Sequence, residues 1–187
     1  MKKVLSLTML LVLVFAAACS NGNSANENAA ENNSQNNEQA SSEENGDQEA
    51  DVKGALLDFQ MNLTSMINEK DGPIYAFEAA KAKEEEKPSD EELATMKEEA
   101  KTAANTIAED IRGMEIPAEL EAHKSDLEAA LEDLAKSYET RAANLSDEAG
   151  FVYEESDSMF TSAEEKLASV YEDAGLTAPS ISTEVAE

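Results

Sequence analysis

Two side chains in this sequence are chemically singular: Cys19 is its one thiol and His123 its one imidazole. Nucleophilic catalysis needs a nucleophile, a base that activates it and a group that orients the base. The chain offers no Gly-x-Ser-x-Gly or Ser-x-x-Lys pattern to place a serine. Metal chemistry fares no better. Helix bundles hold metals through Glu-x-x-His pairs, but Leu120 stands three residues before His123, and Glu119, four before it, has no second set to work with. His-Glu-x-x-His and the Asp-x-Asp-x-Asp-Gly calcium loop are missing too. The acidic runs Glu84-Glu85-Glu86 and Glu154-Glu155 read as solvated faces, weak divalent-cation binding being the alternative on charge alone. Phosphate-cradling Gly-x-Gly-x-x-Gly and P-loop patterns do not occur. The expectation is a chain that is not an enzyme, with no catalytic residue, no metal site and no cofactor, and with His123 at the boundary of a helix.

Cys19 has a more specific context. Lys2 and Lys3 give a positive start, the run from Val4 to Phe15 is apolar, and Ala16-Ala17-Ala18 are the small residues a signal peptidase requires. The apolar stretch from Val4 to Ala18, about fifteen residues and at most about 23 Å as a helix at ~1.5 Å per residue, falls short of the ~20 residues a permanent span needs. Small residues immediately before a cysteine, behind an export signal, resemble the lipobox of bacterial lipoproteins. Ala16 departs from the larger aliphatic commoner at its position. The resemblance implies a signal peptide over 1–18, cleavage between Ala18 and Cys19, and a diacylglyceryl thioether on Cys19, usually with a further acyl group on the new amino terminus. It implies a lipid-anchored protein on the extracytoplasmic face of the cell membrane, the bilayer being its first partner. It covers the first twenty residues or so and implies nothing about the domain beyond. A free, unpaired thiol in an oxidising compartment would be the odder outcome.

Residues 20–51 consist of Asn, Glu, Ser, Ala, Gln, Gly and Asp, with eight acids and no base. Such a segment buries too little apolar surface to offset ordering entropy. The expectation for 19–51 is a disordered linker that lifts a domain off the lipid surface. The whole chain carries a formal charge of −27. That balance repels nucleic acid, whose binding rests on phosphate neutralisation by Lys and Arg, and repels anionic headgroups as well.

From residue 52 on, the apolar spacing is helical and no period of two is sustained. A first stripe runs Leu56, Phe59, Leu63 and Met66/Ile67, is interrupted by Asp71-Gly72-Pro73, and resumes in phase at Ile74 and Phe77. It predicts a first helix with a kink or short break near Gly72-Pro73, continuing toward Glu85. Ser89 with Glu92 three residues on predicts a capping box. The second stripe runs Leu93, Met96, Ala100, Ala104, Ile107, Ile111, Met114. Pro117 predicts the start of a third helix, with a stripe of Leu120, His123/Lys124, Leu127, Leu131, Leu134, Tyr138 and Leu145. Ser146-Asp147 predicts the start of a fourth, with Val152, Ser156, Met159/Phe160, Ala163, Leu167, Val170 and Tyr171 on one face. Gly175-Leu176 predicts a left-handed C-terminal cap with its apolar contact, and 177–187 a flexible tail. Tyr75, Phe151 and Tyr153 fall off the stripes and predict an exposed patch.

The expected fold is thus all-α: an antiparallel up-down four-helix bundle over 52–176. The expected function is that of a non-catalytic interaction or scaffold module in the cell envelope, meeting an envelope protein or a wall component. The alternative is a lipoprotein that binds a small ligand or a divalent cation.

Overall fold

The computed structural model describes residues 38–185, and their side chains from residue 48. The Ala18–Cys19 cleavage site, the 1–18 signal segment and the first part of the linker lie outside the described residues. Helices follow in the order α1 (Glu38–Asn68), α2 (Gly72–Lys81), α3 (Asp90–Arg112), a 3-10 segment (Ala118–His123), α4 (Lys124–Ala143), α5 (Glu154–Asp173) and α6 (Ile181–Glu184). Among the described residues there is no strand, so the all-α expectation holds.

The boundaries carry the corrections. Helix α1 starts at Glu38, not near residue 52, so 38–51 is helix where a disordered linker was expected. Helix propagation from a nucleated turn is far easier than nucleation, and Glu, Gln and Ala in this stretch are good formers. Of the kink or short break expected near Gly72-Pro73, the chain makes the break, so the first helix is two helices. The amides of Lys70 and Asp71 both bond back to the Ile67 carbonyl at 2.9 and 3.0 Å, closing α1, and the Asp71 carbonyl then accepts from Ile74 to open α2. Pro73 sits in that first turn, where its missing N–H costs nothing. Helix α2 stops at Lys81 rather than running to Glu85, because residues 82–87 are all exposed and no buried face remains to hold them.

The capping box forms as expected: Ser89 Oγ accepts from the Glu92 amide, and the Glu92 carboxylate accepts from the Ser89 amide at 2.9 Å. After Pro117 the chain makes a 3-10 segment before α4 begins at Lys124. The Ser146-Asp147 pair caps nothing. Ser146 Oγ accepts instead from the Glu148 amide at 3.2 Å, a local turn that competes with a helix start. Helix α5 opens at Glu154, leaving Val152 exposed. At its end Gly175 takes a φ of +70°, while the Leu176 and Gly175 amides bond to the Tyr171 and Glu172 carbonyls at 2.8 and 2.9 Å. That is the Schellman pattern, and Leu176 packs against the core as expected.

Helices α2, α3, α4 and α5 pack each against the next, while α1 lies on the 3-10 segment and α3. The α4–α5 pair runs in opposite directions: Asp133 meets Lys166, Thr140 meets Met159 and Arg141 meets Asp157. Nearly every stripe residue named from the sequence is buried, from Leu56 and Phe59 to Val170 and Tyr171. Tyr171 also donates its hydroxyl to the Leu56 carbonyl at 2.5 Å, tying α5 to α1.

The C-terminal stretch is not a flexible tail up to residue 185. Ile181 is 1% and Val185 4% exposed. The Gln60 amide donates to Glu184 Oε1 at 2.5 Å, Asn68 Nδ2 to the Glu184 carbonyl at 3.0 Å, and Tyr75 to the Val185 carbonyl. The Ser182 amide donates to Glu164 at 2.9 Å. This strap crosses α1, α2 and α5. Ile181→Ala is expected to destabilise the fold by roughly 2–3 kcal/mol, at the lower end for a buried isoleucine since the strap lies at the edge of the core. A lowered urea midpoint checks it, and an unchanged midpoint would mean that the strap contributes nothing.

Arg112, at the end of α3, forks onto Glu132 and Glu139 of α4. Its hydrogen bonds pull both carboxyls below their ordinary range, and Lys166 with Ser162 does the same to Asp133. A carboxyl depressed in the folded state stabilises above its unfolded pKa, and that contribution is lost as pH falls through the lower folded value. Arg112→Ala is therefore expected to be modestly less stable than the parent at neutral pH and to converge with it as pH falls through the depressed carboxyls and below the ordinary carboxylate range. Urea midpoints followed from neutral to acid pH check this.

Candidate functional site

Along one side of the domain, α2, α4 and α5 splay around a cleft of about 600 Å³, and the strap crosses its end with Ser182 and Val185. The wall is built by the same periodicities that build the core. On α2, Ile74, Phe77 and Lys81 fall at helical spacing on the inward face, which carries Lys81 inside with a side chain only 1% exposed. On α4, Arg141 follows Tyr138 by three and Leu134 by seven, again on the inward stripe.

Behind the cleft the buried lysine organises a polar node. Lys81 Nζ lies 2.9 Å from Glu78 Oε2, donates to the Ser146 carbonyl at 2.8 Å and to the Tyr153 hydroxyl at 3.2 Å, and sits 4.9 Å from the centre of the Phe77 ring. The Tyr153 hydroxyl in turn donates to Glu78 Oε1 at 2.9 Å and accepts from the Ser146 amide at 3.3 Å. One cation, one carboxylate and one phenol thereby pin α2 to the loop between α4 and α5. A buried charge is tolerated when it is paired and its other donors are satisfied in this way. Tyr153 is only 5% exposed, so the exposed patch expected of Tyr75, Phe151 and Tyr153 reduces to Tyr75 and Phe151, joined by Val152. The physical reason is this node, which gives the Tyr153 hydroxyl three partners inside.

The guanidinium of Arg141 stacks over the other face of the site, its Cζ 4.4 Å from the centre of the Tyr153 ring. Its Nε is buried without an acceptor, and its nearest carboxylate, Asp157, is 3.7 Å away. Deeper in, Asp71 is 7% exposed, and its side chain makes no cap for α2. Burial pushes its carboxyl above the usual range, opposed only by a backbone hydrogen bond. Burial likewise raises the Tyr138 hydroxyl, with help from the nearby Tyr75 and Asp71. Tyr138 meets the Phe160 ring edge-on at 6.4 Å, which floors the cleft with aromatic surface.

The residues weighed in the sequence lie elsewhere. His123 is half-buried at the junction of the 3-10 segment and α4, Glu119 is exposed, and so are Glu84, Glu85, Glu86, Glu154 and Glu155. Among the described residues no three His, Cys, Asp or Glu side chains gather in a metal-holding arrangement, and no helix is long and apolar enough to cross a membrane. Lys81, Glu78, Arg141 and Asp71 were not singled out from the sequence. The signal was present for the two cations, since each sits on an apolar stripe where a solvated charge does not belong.

No protein-family model matches this chain, and neither a curated protein nor a solved structure matches it.

Proposed function

We propose that this chain is a lipoprotein anchored through Cys19 on the extracytoplasmic face of the cell membrane, whose helical domain, an up-down antiparallel bundle, is a non-catalytic interaction module of the envelope. The observation that carries it is the sequence around Cys19: two lysines, an apolar run too short to span, three alanines and then the cysteine. The domain's surface supports it. Most of the chain's formal charge of −27 falls beyond residue 51 and keeps the module off nucleic acid and anionic lipid, so attachment falls to the lipid. On α1, Leu57 and Met61 stand one turn apart, 52% and 65% exposed, a short apolar strip of the kind that meets an envelope protein.

Cys19→Ser is expected to release the protein into the medium or to leave it as uncleaved precursor. A variant that stays membrane-bound and normally processed would overturn the anchor. For the module itself, crosslinking on intact cells should capture one envelope chain with the parent and lose it with Leu57→Glu plus Met61→Glu. Capture that survives both substitutions would move the docking face elsewhere.

A second reading, that the domain binds a small ligand, is favoured by the cleft between α2, α4 and α5. Its volume lies within the roughly 300–1,000 Å³ of small-molecule sites, and it combines aromatic floor with a few polar groups.

A further inference from the structure

The cleft presents two charges that the fold leaves unmatched. Arg141 lies with its Cζ 4.4 Å from the centre of the Tyr153 ring, yet its buried Nε has no acceptor among the described residues and its approach to Asp157 is 3.7 Å, too long for a hydrogen bond. A stacked guanidinium with free donors is pre-organised for a carboxylate. Asp71 is buried, its carboxyl held only by its own backbone amide with no cation beside it among the described residues, although a buried carboxylate ordinarily has a charged partner. Glu78 is different, since Lys81 already neutralises it.

The surrounding charges narrow what could satisfy both. A bare carboxylate approaching Arg141 also meets Asp157, Glu164 and Asp71, all lining the same cleft, and like charges there disfavour it. A bare amine is drawn to Asp71 but leaves the guanidinium without an acceptor, a cost when donors are buried. A phosphate or other dianion is worse off than the carboxylate. A compact molecule bearing one ammonium and one carboxylate answers both ends, and the aromatic floor of Tyr138 and Phe160 suits an apolar side group. We infer that the cleft between α2, α4 and α5 binds a small zwitterion of the amino-acid class, its carboxylate on Arg141 and its ammonium on Asp71.

The inference rests on the ligand-binding reading and sharpens it. The test is calorimetric titration of the purified full chain, in detergent, with each free L-amino acid. The tightest binder is then compared with the amine left by removing its carboxylate and the acid left by removing its amine. At least one amino acid is expected to saturate the protein below about 10 mM, with each half-molecule bound tenfold or more weakly, a loss of ~1.4 kcal/mol or more. Arg141→Lys, which keeps the charge but not the planar fork, and Asp71→Asn are each expected to weaken binding at least tenfold while the ligand-free thermal midpoint stays high enough to measure it. Because the half-molecule comparison uses the unmodified protein, it decides the matter even if a variant fails to fold. A half-molecule that binds as tightly as the amino acid overturns the zwitterion and keeps the ligand reading. Saturation by none of the amino acids, amines or acids overturns both, and leaves the anchored interaction module to its own crosslinking test.

Discussion

Lys81→Met is expected to destabilise the domain by about 1.5–3 kcal/mol, the range for losing hydrogen bonds to a charged group, because the ammonium is buried while the Glu78 carboxylate it leaves is 26% exposed and rehydrates. The size follows from what the ammonium leaves behind. Glu78 Oε2 loses a cation at 2.9 Å and the Ser146 carbonyl a donor at 2.8 Å. The Tyr153 hydroxyl loses a donor at 3.2 Å. Methionine fills similar space, so the loss is electrostatic rather than a cavity. A companion variant separates these: adding Glu78→Gln to Lys81→Met removes the stranded charge and should recover a substantial part of the stability, a coupling that shows as non-additivity in the double-mutant cycle. Urea midpoints of the four proteins give the answer. If Lys81→Met unfolds with the parent, the node is ornamental and α2 is held by its apolar contacts alone.

The second large effect is expected on α1. Phe59 is 2% exposed and one of the largest buried side chains, and its helix is held by the 3-10 segment, α3, the Tyr171 bond to Leu56 and the strap's bonds to Gln60 and Asn68. Phe59→Ala is expected to cost about 3–5 kcal/mol, the transfer term plus the cavity it leaves. Because α1 has few neighbours, the loss should appear first as faster amide exchange across residues 52–68, with α4 and α5 protected longer. Met61→Ala, two residues on but 65% exposed, should stay within about 0.5 kcal/mol of the parent. Equal losses at the two positions would mean that the α1 face has been assigned the wrong way round.

Features that depend on neighbouring residues were legible in the sequence. Ser89 and Glu92 meet across three residues, and Gly175 and Leu176 close the helix they follow, so pattern and geometry coincide. The apolar stripes were legible for the same reason, periodicity being a direct image of burial. What depends on distant partners was not. Ile181 and Val185 are too sparse to make a stripe, and their strap is held by Gln60, Asn68 and Tyr75 from far up the chain. Ser146 looked like a cap, yet bonded its own turn. Lys81 belongs by type to the surface, and only its position in the stripe with Ile74 and Phe77 points it inside. The cleft was illegible because Asp71, Arg141 and Phe160 belong to three elements that only the packed fold brings to one wall.

Helix α1 begins well before Leu56, the first buried residue among its described side chains, and this changes the mechanics at the near end of the domain. As helix, residues 38–51 measure about 21 Å at ~1.5 Å per residue. As coil, the same stretch would have a root-mean-square length of about 20 Å. Its average length is therefore the same either way, and only its compliance differs. A coil works as an entropic spring, decoupling the orientation of what lies at its two ends. A helix continuous with the packed part of α1 is a lever arm, and a torque applied at Glu38 turns the face that carries Leu57 and Met61.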